Sequence, residues 1–239
     1  MEDWKSAIEG LKELIVLRNY TGIDVNSITF DPSNNFGDQE VCDIYSAMNT
    51  NNQPVLIILY RSTTETKSKS TKPRDPNKPR KFNTADMNFI SGVIQEENRE
   101  RATEKQTVYY ADIILVSNRK GTNKKTPTLI KDNDYRDSLW MFHINELKVN
   151  ITTHFLQPKK FEIIPSSVHG GNIKKFFESR SIKPHQIGTI SIHEPLGKWY
   201  GIKHGQLVMV EDDVYLAGLL VKKMVTWMIV VDKKLPPRK

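Results

Sequence analysis

The chain reads as an α+β protein of two domains, and three features of its sequence predict this. Two apolar runs, "PVLIILYR" and "TVYYADIILVS", bracket an amphipathic stretch long enough for a crossover helix, the pattern of an α/β layer rather than a helical bundle. Beyond residue 150 the texture changes to short strand-like runs separated by glycine-bearing turns, as in a small, mainly β module. The charge changes at the same place: residues 1–150 hold 21 Lys and Arg against 21 Asp and Glu, whereas 151–239 hold 14 against 7. Domains are therefore expected at 1–150 and 151–239. With 239 residues, 38% of them hydrophobic, the chain is long enough to bury a core in each.

The elements follow in order. Trp4, Ile8, Leu11 and Ile15 recur at helical spacing, and Gly22 is the expected stop of this first helix. After the polar loop "DPSNNFGD", the run "PVLIILYR" predicts a buried strand entered at Pro54. Residues 61–82 hold eight basic and two acidic residues with no apolar periodicity, which predicts a surface insertion, either solvated or touching nucleic acid. The rest of the first half is left with a net charge of −6, so a basic tract sits on an acidic body. In "NTADMNFISGVIQEENRERA", Asn83 or Thr84 is placed to cap a helix whose apolar face is Met87, Ile90 and Ile94. "TVYYADIILVS" predicts a second buried strand, and "NRKGTNKKTP" is a basic, turn-rich connection. In the second half, "NIKKFFESRSIKPHQIG" predicts a short helix through Ile173, Phe176 and Phe177 that ends before Pro184. Strands are then expected in "TISI", "QLVMVE" and "VTWMIVVD".

Several function classes are disfavoured at this level. The longest apolar runs, "VLIILY" and "LAGLLV", fall far short of the roughly 20 residues needed to span a bilayer, and "MEDW" is unlike the start of a signal peptide. A soluble chain without a membrane partner is expected. The single cysteine, Cys42, allows neither an internal disulfide nor a cysteine-based zinc site and reads as a small core or surface residue. No repeat of solenoid or propeller length is visible.

A phosphate-binding loop needs glycines between a strand and a helix, and "GKWYGIKHGQ" leads into the strand-like "QLVMV" without the required spacing. "HGGNIKK" opens a helix but lacks the lysine–hydroxyl pair of a nucleotide loop, and no GxSxG elbow occurs. No cofactor and no small-molecule substrate are expected. His143, His154, His169, His185, His193 and His204 form no metal-ligand spacing, so no metal is expected either. One enzymatic pattern remains: Asp112 in a strand, with Glu146 and Lys148 in "NELK", has the loose order of a metal-dependent PD-(D/E)xK nuclease. A freestanding nuclease or DNA-binding protein is thus the alternative reading.

"LWMFHINELKVNITTHFLQPKKFEII" resembles a segment of the fifth common subunit of eukaryotic DNA-dependent RNA polymerases, a family shared with archaea, that reads approximately LEFFxExELLVNITEHELVPKHxxL. In register with it, "KKFFESRSIKPHQIGTISIHEPLGKWYGIKHGQLVMV" is similar to the family's FLxxYxIxxxQLPxIxxxDPxAxYYGxKxGQVVxI. The matching positions are Asn150, Ile151, Thr152, His154, Pro158, Phe177, Ile182, Gln186, Ile190, Pro195, Lys198, Tyr200, Gly201, Lys203, Gly205, Gln206 and Val208. Strong matching spans Leu139 to Val210, and "VIQEEN" adds a short earlier match. Glu194 stands where the family has Asp, Gly188 where it has Pro, and little beyond Ala217-Gly218 is kept of the family's last hairpin.

The resemblance implies a noncatalytic subunit: an N-terminal α/β jaw with a restriction-endonuclease-like three-layer fold, near downstream double-stranded DNA, and a C-terminal domain anchored on the largest polymerase subunit. Catalytic residues belong to other chains. It implies assembly-interface positions at His154, Pro158, Pro195, Lys198, Trp199, Tyr200, Gly201, Lys203, Gly205 and Gln206. In "EPLGKWYGIKHGQLVMV", Pro195 and Gly197 are then expected to bend the chain out of "TISI", Trp199 and Tyr200 to pack into the small β module, and Gly201 and Gly205 to permit turns that side chains would obstruct, a fixed turn of the assembly module. Phosphate contacts without base readout would fall to Lys67, Lys69, Lys72, Arg74, Lys78, Arg80 and Lys81 in the insertion, and to Arg119, Lys120, Lys124 and Lys125 in the later connection. The family location is the nucleus; the divergence suits equally a polymerase encoded by a large DNA virus, in a virion or a cytoplasmic viral factory.

Overall fold

Apolar side chains at every third or fourth position fold Glu2–Leu17 into helix α1, with Ala7, Leu11, Leu14 and Ile15 fully buried and the Trp4 ring 4.4 Å from that of Phe30. The computed structural model describes residues 2–30, 41–62, 82, 84–101, 110–119, 138–154, 157–216 and 219–232. The expected stop at Gly22 is corrected, because α1 already ends at Leu17. Tyr20 N–H donates to Ile15 O and Asn19 N–H to Val16 O, with Asn19 at φ 54. An asparagine therefore closes the helix in the left-handed position more often given to glycine.

The chain divides into two compact units, Met1–Val149 and Asn150–Lys239. In the first, β1 (Val41–Met48), β2 (Pro54–Arg61), β3 (Asp112–Ser117) and β4 (Leu139–His143) lie side by side in that order. β1 and β2 form an antiparallel hairpin, whose turn is held by Asn49 Oδ1 accepting from Asn51 N–H and Gln53 N–H. β2–β3 and β3–β4 are parallel. Both β2 and β3 are buried on both faces, which is why they read as unbroken apolar runs.

Helix α2 (Thr84–Arg101) crosses between them and packs Met87, Ile90 and Ile94 against Leu56, Ile58, Ile113 and Leu115. Asn83 lies outside the described residues, so the capping expectation falls partly there. The expected loop 61–82 is narrower at both ends: Arg61 closes β2, and Phe82 is buried with its ring 6.1 Å from that of Tyr60. On the opposite face, Val55, Ile57, Leu59, Ile114 and Phe142 are buried, and the end of α1 reaches this face through Tyr20. A one-turn helix, α3 (Ile144–Leu147), follows β4 and packs on α1.

The second unit is built on β5 (Lys160–Ile164), β6 (Gly188–Ser191), β7 (Leu207–Leu216) and β8 (Leu219–Val231), in the order β5-β7-β8-β6. β7 is antiparallel to both neighbours, and β6 joins β8 in parallel. The sheet is accompanied, among the described residues, by the short helices α4 (Ser166–His169), α5 (Ile173–Ser179) and α6 (Pro195–Tyr200). Phe176 and Phe177 of α5 cover one face with Ile164 and Leu207. Ile202 and Tyr200 lie on the other face with Ile190, Val208, Val210 and Val230.

Helix α5 matches the expected segment and stops before Pro184, but its ending is set by Ser181 at φ 54. Ile182 N–H donates to Phe177 O and Ser181 N–H to Glu178 O, the same closure as in α1. A serine in the left-handed region carries strain that glycine does not. Ser181→Gly is expected to raise stability by about 1 kcal/mol, read as a higher urea midpoint with an unchanged slope.

Taken by element content, the described residues form a mixed α/β chain with two four-stranded sheets. β1, β4, β5, the one-turn helices α3 and α4, and helix α6 are additions to the elements legible in the sequence.

Candidate functional site

The resembling stretch from Asn150 to Val210 lies in the second unit, whereas its first part, Leu139–Val149, belongs to the first. Asn150 Oδ1 accepts from Thr152 N–H at 2.9 Å and from Thr152 Oγ1 at 2.6 Å, closing a 3-10 turn over Ile151–Thr153. That turn packs on α6, so positions some 45 residues apart in sequence, 150–153 and 195–200, meet in space. The expected bend at Pro195 and Gly197 is corrected to a helix, with Pro195 at its first turn, where the missing N–H is no loss.

Gly197 is needed for contact rather than for bending: a Cβ there would stand 2.7 Å from Ser191 O and 2.9 Å from Ile202 Cδ1. α6 ends with Gly201 at φ 65, where Gly201 N–H donates to Lys198 O and Ile202 N–H to Gly197 O. The following turn is stapled at both ends. Gln206 Oε1 accepts from Lys203 N–H at 2.6 Å, while Gly205 N–H donates to Val230 O and Val230 N–H to Gln206 O. Gly205, at φ 80, supplies the second left-handed position.

These positions separate into three groups. Trp199 is 1% exposed, and Tyr200 stacks on Phe161 with ring centroids 4.2 Å apart, so both act through packing. Burial also raises the Tyr200 phenol above its ordinary pKa, keeping it neutral. Gln206 and the three glycines fix the backbone. His154 and Pro195 are exposed and Pro158, Lys198 and Lys203 are half-buried, which leaves these five as the residues that present side chains outward.

The DNA-contact positions fare differently. Lys67, Lys69, Lys72, Arg74, Lys78, Arg80, Lys81, Lys120, Lys124 and Lys125 lie outside the described residues. Arg119 is a correction: it is 2% exposed, and its Nη2 donates to Ser62 Oγ at 2.9 Å. A guanidinium so enclosed is part of the fold, not a phosphate contact. Charge counting along a sequence cannot see this, because it gives a buried arginine the same weight as an exposed one.

The nuclease-like constellation does not assemble. Asp112 opens β3, opposite Val55, whereas Glu146 follows β4 beyond the pair Ser117↔His143. The two residues thus belong to opposite ends of parallel strands, whose five-residue span from Asp112 to Ser117 is about 16 Å at 3.3 Å per residue. Asp112 is instead occupied internally: Oδ2 accepts from Tyr20 Oη at 2.7 Å and Oδ1 from Trp140 Nε1 at 2.9 Å. Glu146 closes a capping box with His143 at the start of α3. Nothing in the sequence marks Tyr20 and Trp140 as partners of Asp112, since they lie 92 and 28 residues away. Among the described residues, no cluster of His, Cys, Asp or Glu could hold a metal ion, and no helix is long and apolar enough to cross a membrane.

No family model and no curated protein matches this chain.

Proposed function

We propose that this chain is a noncatalytic subunit of a multisubunit DNA-dependent RNA polymerase. In this reading Asn150–Lys239 anchors it to the largest subunit, and Met1–Val149 is a restriction-endonuclease-like jaw beside downstream DNA. The observation that supports it is the convergence of the family-like residues on one local structure. Asn150, Ile151 and Thr152 form a turn that packs on the helix containing Lys198, and that helix closes through Gly201 into the turn of Lys203, Gly205 and Gln206. Residues scattered through a sequence by chance have no reason to meet in this way. The family's nucleotidyl-transfer chemistry belongs to other chains, so this one needs no catalytic residue of its own.

Purification through a tag on this chain, from its native source, is expected to yield a stoichiometric set of polymerase subunits. Recovery of the chain alone, with the polymerase intact elsewhere, would sink the assignment. Gly201→Val sharpens the test. A β-branched residue at φ 65 costs about 1–2 kcal/mol or more locally, and is expected to reduce incorporation into polymerase while leaving DNA binding by the first unit unchanged. Normal incorporation of this variant would count against the anchoring role.

A further inference from the structure

Strand β8 runs for 13 residues, but β6 pairs only with its end, Met228–Val231. Val230 N–H donates to Gln206 O, so in this antiparallel pair Met228, Thr226, Met224 and Lys222 also turn their backbone groups towards β7. Lys223 and Val225 turn theirs the other way, onto the line of β6, where no strand pairs with them among the described residues. The free edge from Lys222 to Trp227 is about 17 Å long at 3.4 Å per residue.

Side chains along this edge define the strand it can accept. Lys222, Met224 and Thr226 share one face, and Lys223, Val225 and Trp227 the other. Met224 is 44% and Val225 47% exposed, an apolar step in the middle of the edge. Cations stand on both sides of it. Lys223 is paired with Glu211 at 2.9 Å, whereas Lys222 is exposed, with no acid at ion-pair distance among the described residues. At the other end the Arg180 guanidinium lies 3.7 Å from the centre of the Phe176 ring, which meets Trp227 edge-on at 5.2 Å. Lysines on an edge disfavour a basic strand, and a second copy of this chain would set its own lysines beside these. An acidic strand is favoured by the same charges.

We infer that the outer edge of β8, from Lys222 to Trp227, takes up by strand addition an extended acidic segment of the largest polymerase subunit. This deepens the anchoring role proposed above and rests on it. Main-chain bonds to Lys223 and Val225 supply affinity, and an apolar guest side chain covers Met224 or Val225. Guest carboxylates meet Lys222 and Arg180, which fixes the register.

Val225→Pro tests this, because the N–H it removes points away from β7, so the β7–β8 ladder is kept while the edge is blocked. The full chain is tagged and expressed in its native source, and folding of the purified variant is checked by its thermal midpoint. Folded Val225→Pro is expected to recover roughly tenfold less polymerase than wild type. Normal recovery overturns strand addition and leaves the subunit assignment standing. Failure of the wild-type chain to recover polymerase removes the assignment and this inference with it.

Lys222→Glu, at an exposed position, supplies the same comparison should Val225→Pro fail to fold: reduced recovery is expected, and an unchanged yield overturns the inference. A photoreactive phenylalanine analogue in place of Lys222 identifies the occupant. Attachment to an acid-rich stretch of the largest subunit is expected; attachment to a second copy of this chain, or to another subunit, refutes the assigned partner.

Discussion

Replacing Gly10 with alanine is expected to destabilise the first unit by about 3 kcal/mol or more, although the position is in the middle of a helix. Elsewhere in a helix the same substitution stabilises by about 0.5–1 kcal/mol, because glycine loses more backbone freedom on folding than alanine. Here the sign reverses through contact. A Cβ on Gly10 would stand 1.7 Å from Leu147 O and 2.7 Å from its carbonyl carbon.

Those are backbone atoms that no rotamer change can move. Leu147 is itself fully buried at the end of α3, so the clash can be relieved only by separating α1 from α3. That separation would loosen Leu11 and Leu14, which are fully buried on α1. Urea denaturation of Gly10→Ala against wild type is the measurement. A midpoint equal to or above wild type would show that the two helices do not approach so closely.

The parts of the fold that are legible in the sequence are those whose burial leaves a simple trace. β2 and β3 are covered on both faces and need no alternation, so their apolar runs stand out. α2 keeps Met87, Ile90 and Ile94 at helical spacing. β1 is hidden because it is an edge strand, where Asp43, Ser46 and a half-exposed Ile44 interrupt the pattern. β4 and β5 are only five residues long, too short to establish a period. α6 is hidden by its own composition, since a proline and a glycine within six residues look like a bend until the packing of Gly197 on Ser191 and Ile202 is seen.

At the level of sites, spacing and chemistry diverge. Positions 150–153 and 195–200 meet only through tertiary packing, and Arg119 looks like a surface cation in sequence because its burial depends on Ser62, 57 residues earlier. Glycines at 201 and 205 are readable as left-handed positions, while Asn19 and Ser181 adopt the same conformation without advertising it.

Removing the Asp112 carboxylate is the second large effect, and its character separates a structural acid from a catalytic one. In Asp112→Ala the Tyr20 hydroxyl and the Trp140 indole N–H both lose their acceptors inside the fold, at about 1–3 kcal/mol each. A loss of about 3 kcal/mol is therefore expected, seen as a lowered thermal midpoint of the first unit. Asp112→Asn keeps one carbonyl oxygen in place and should lose less.

A nuclease carboxylate would behave in the opposite way, with cutting abolished and stability held or improved. Magnesium-dependent cutting by the wild-type chain, lost in a fully stable Asp112→Ala, would make Asp112 a catalytic acid after all. The same network sets an alkaline limit. Burial, opposed in part by the nearby Arg18 guanidinium, raises the Tyr20 phenol well above its ordinary value of 10.0, so the folded state holds it neutral. The unfolded phenol ionises first as pH rises, so this group's contribution is complete below pH 10 and declines above it. Tyr20→Phe should flatten that decline, at the expense of one hydrogen bond to Asp112 and the Arg18 Nη1 contact at 3.0 Å.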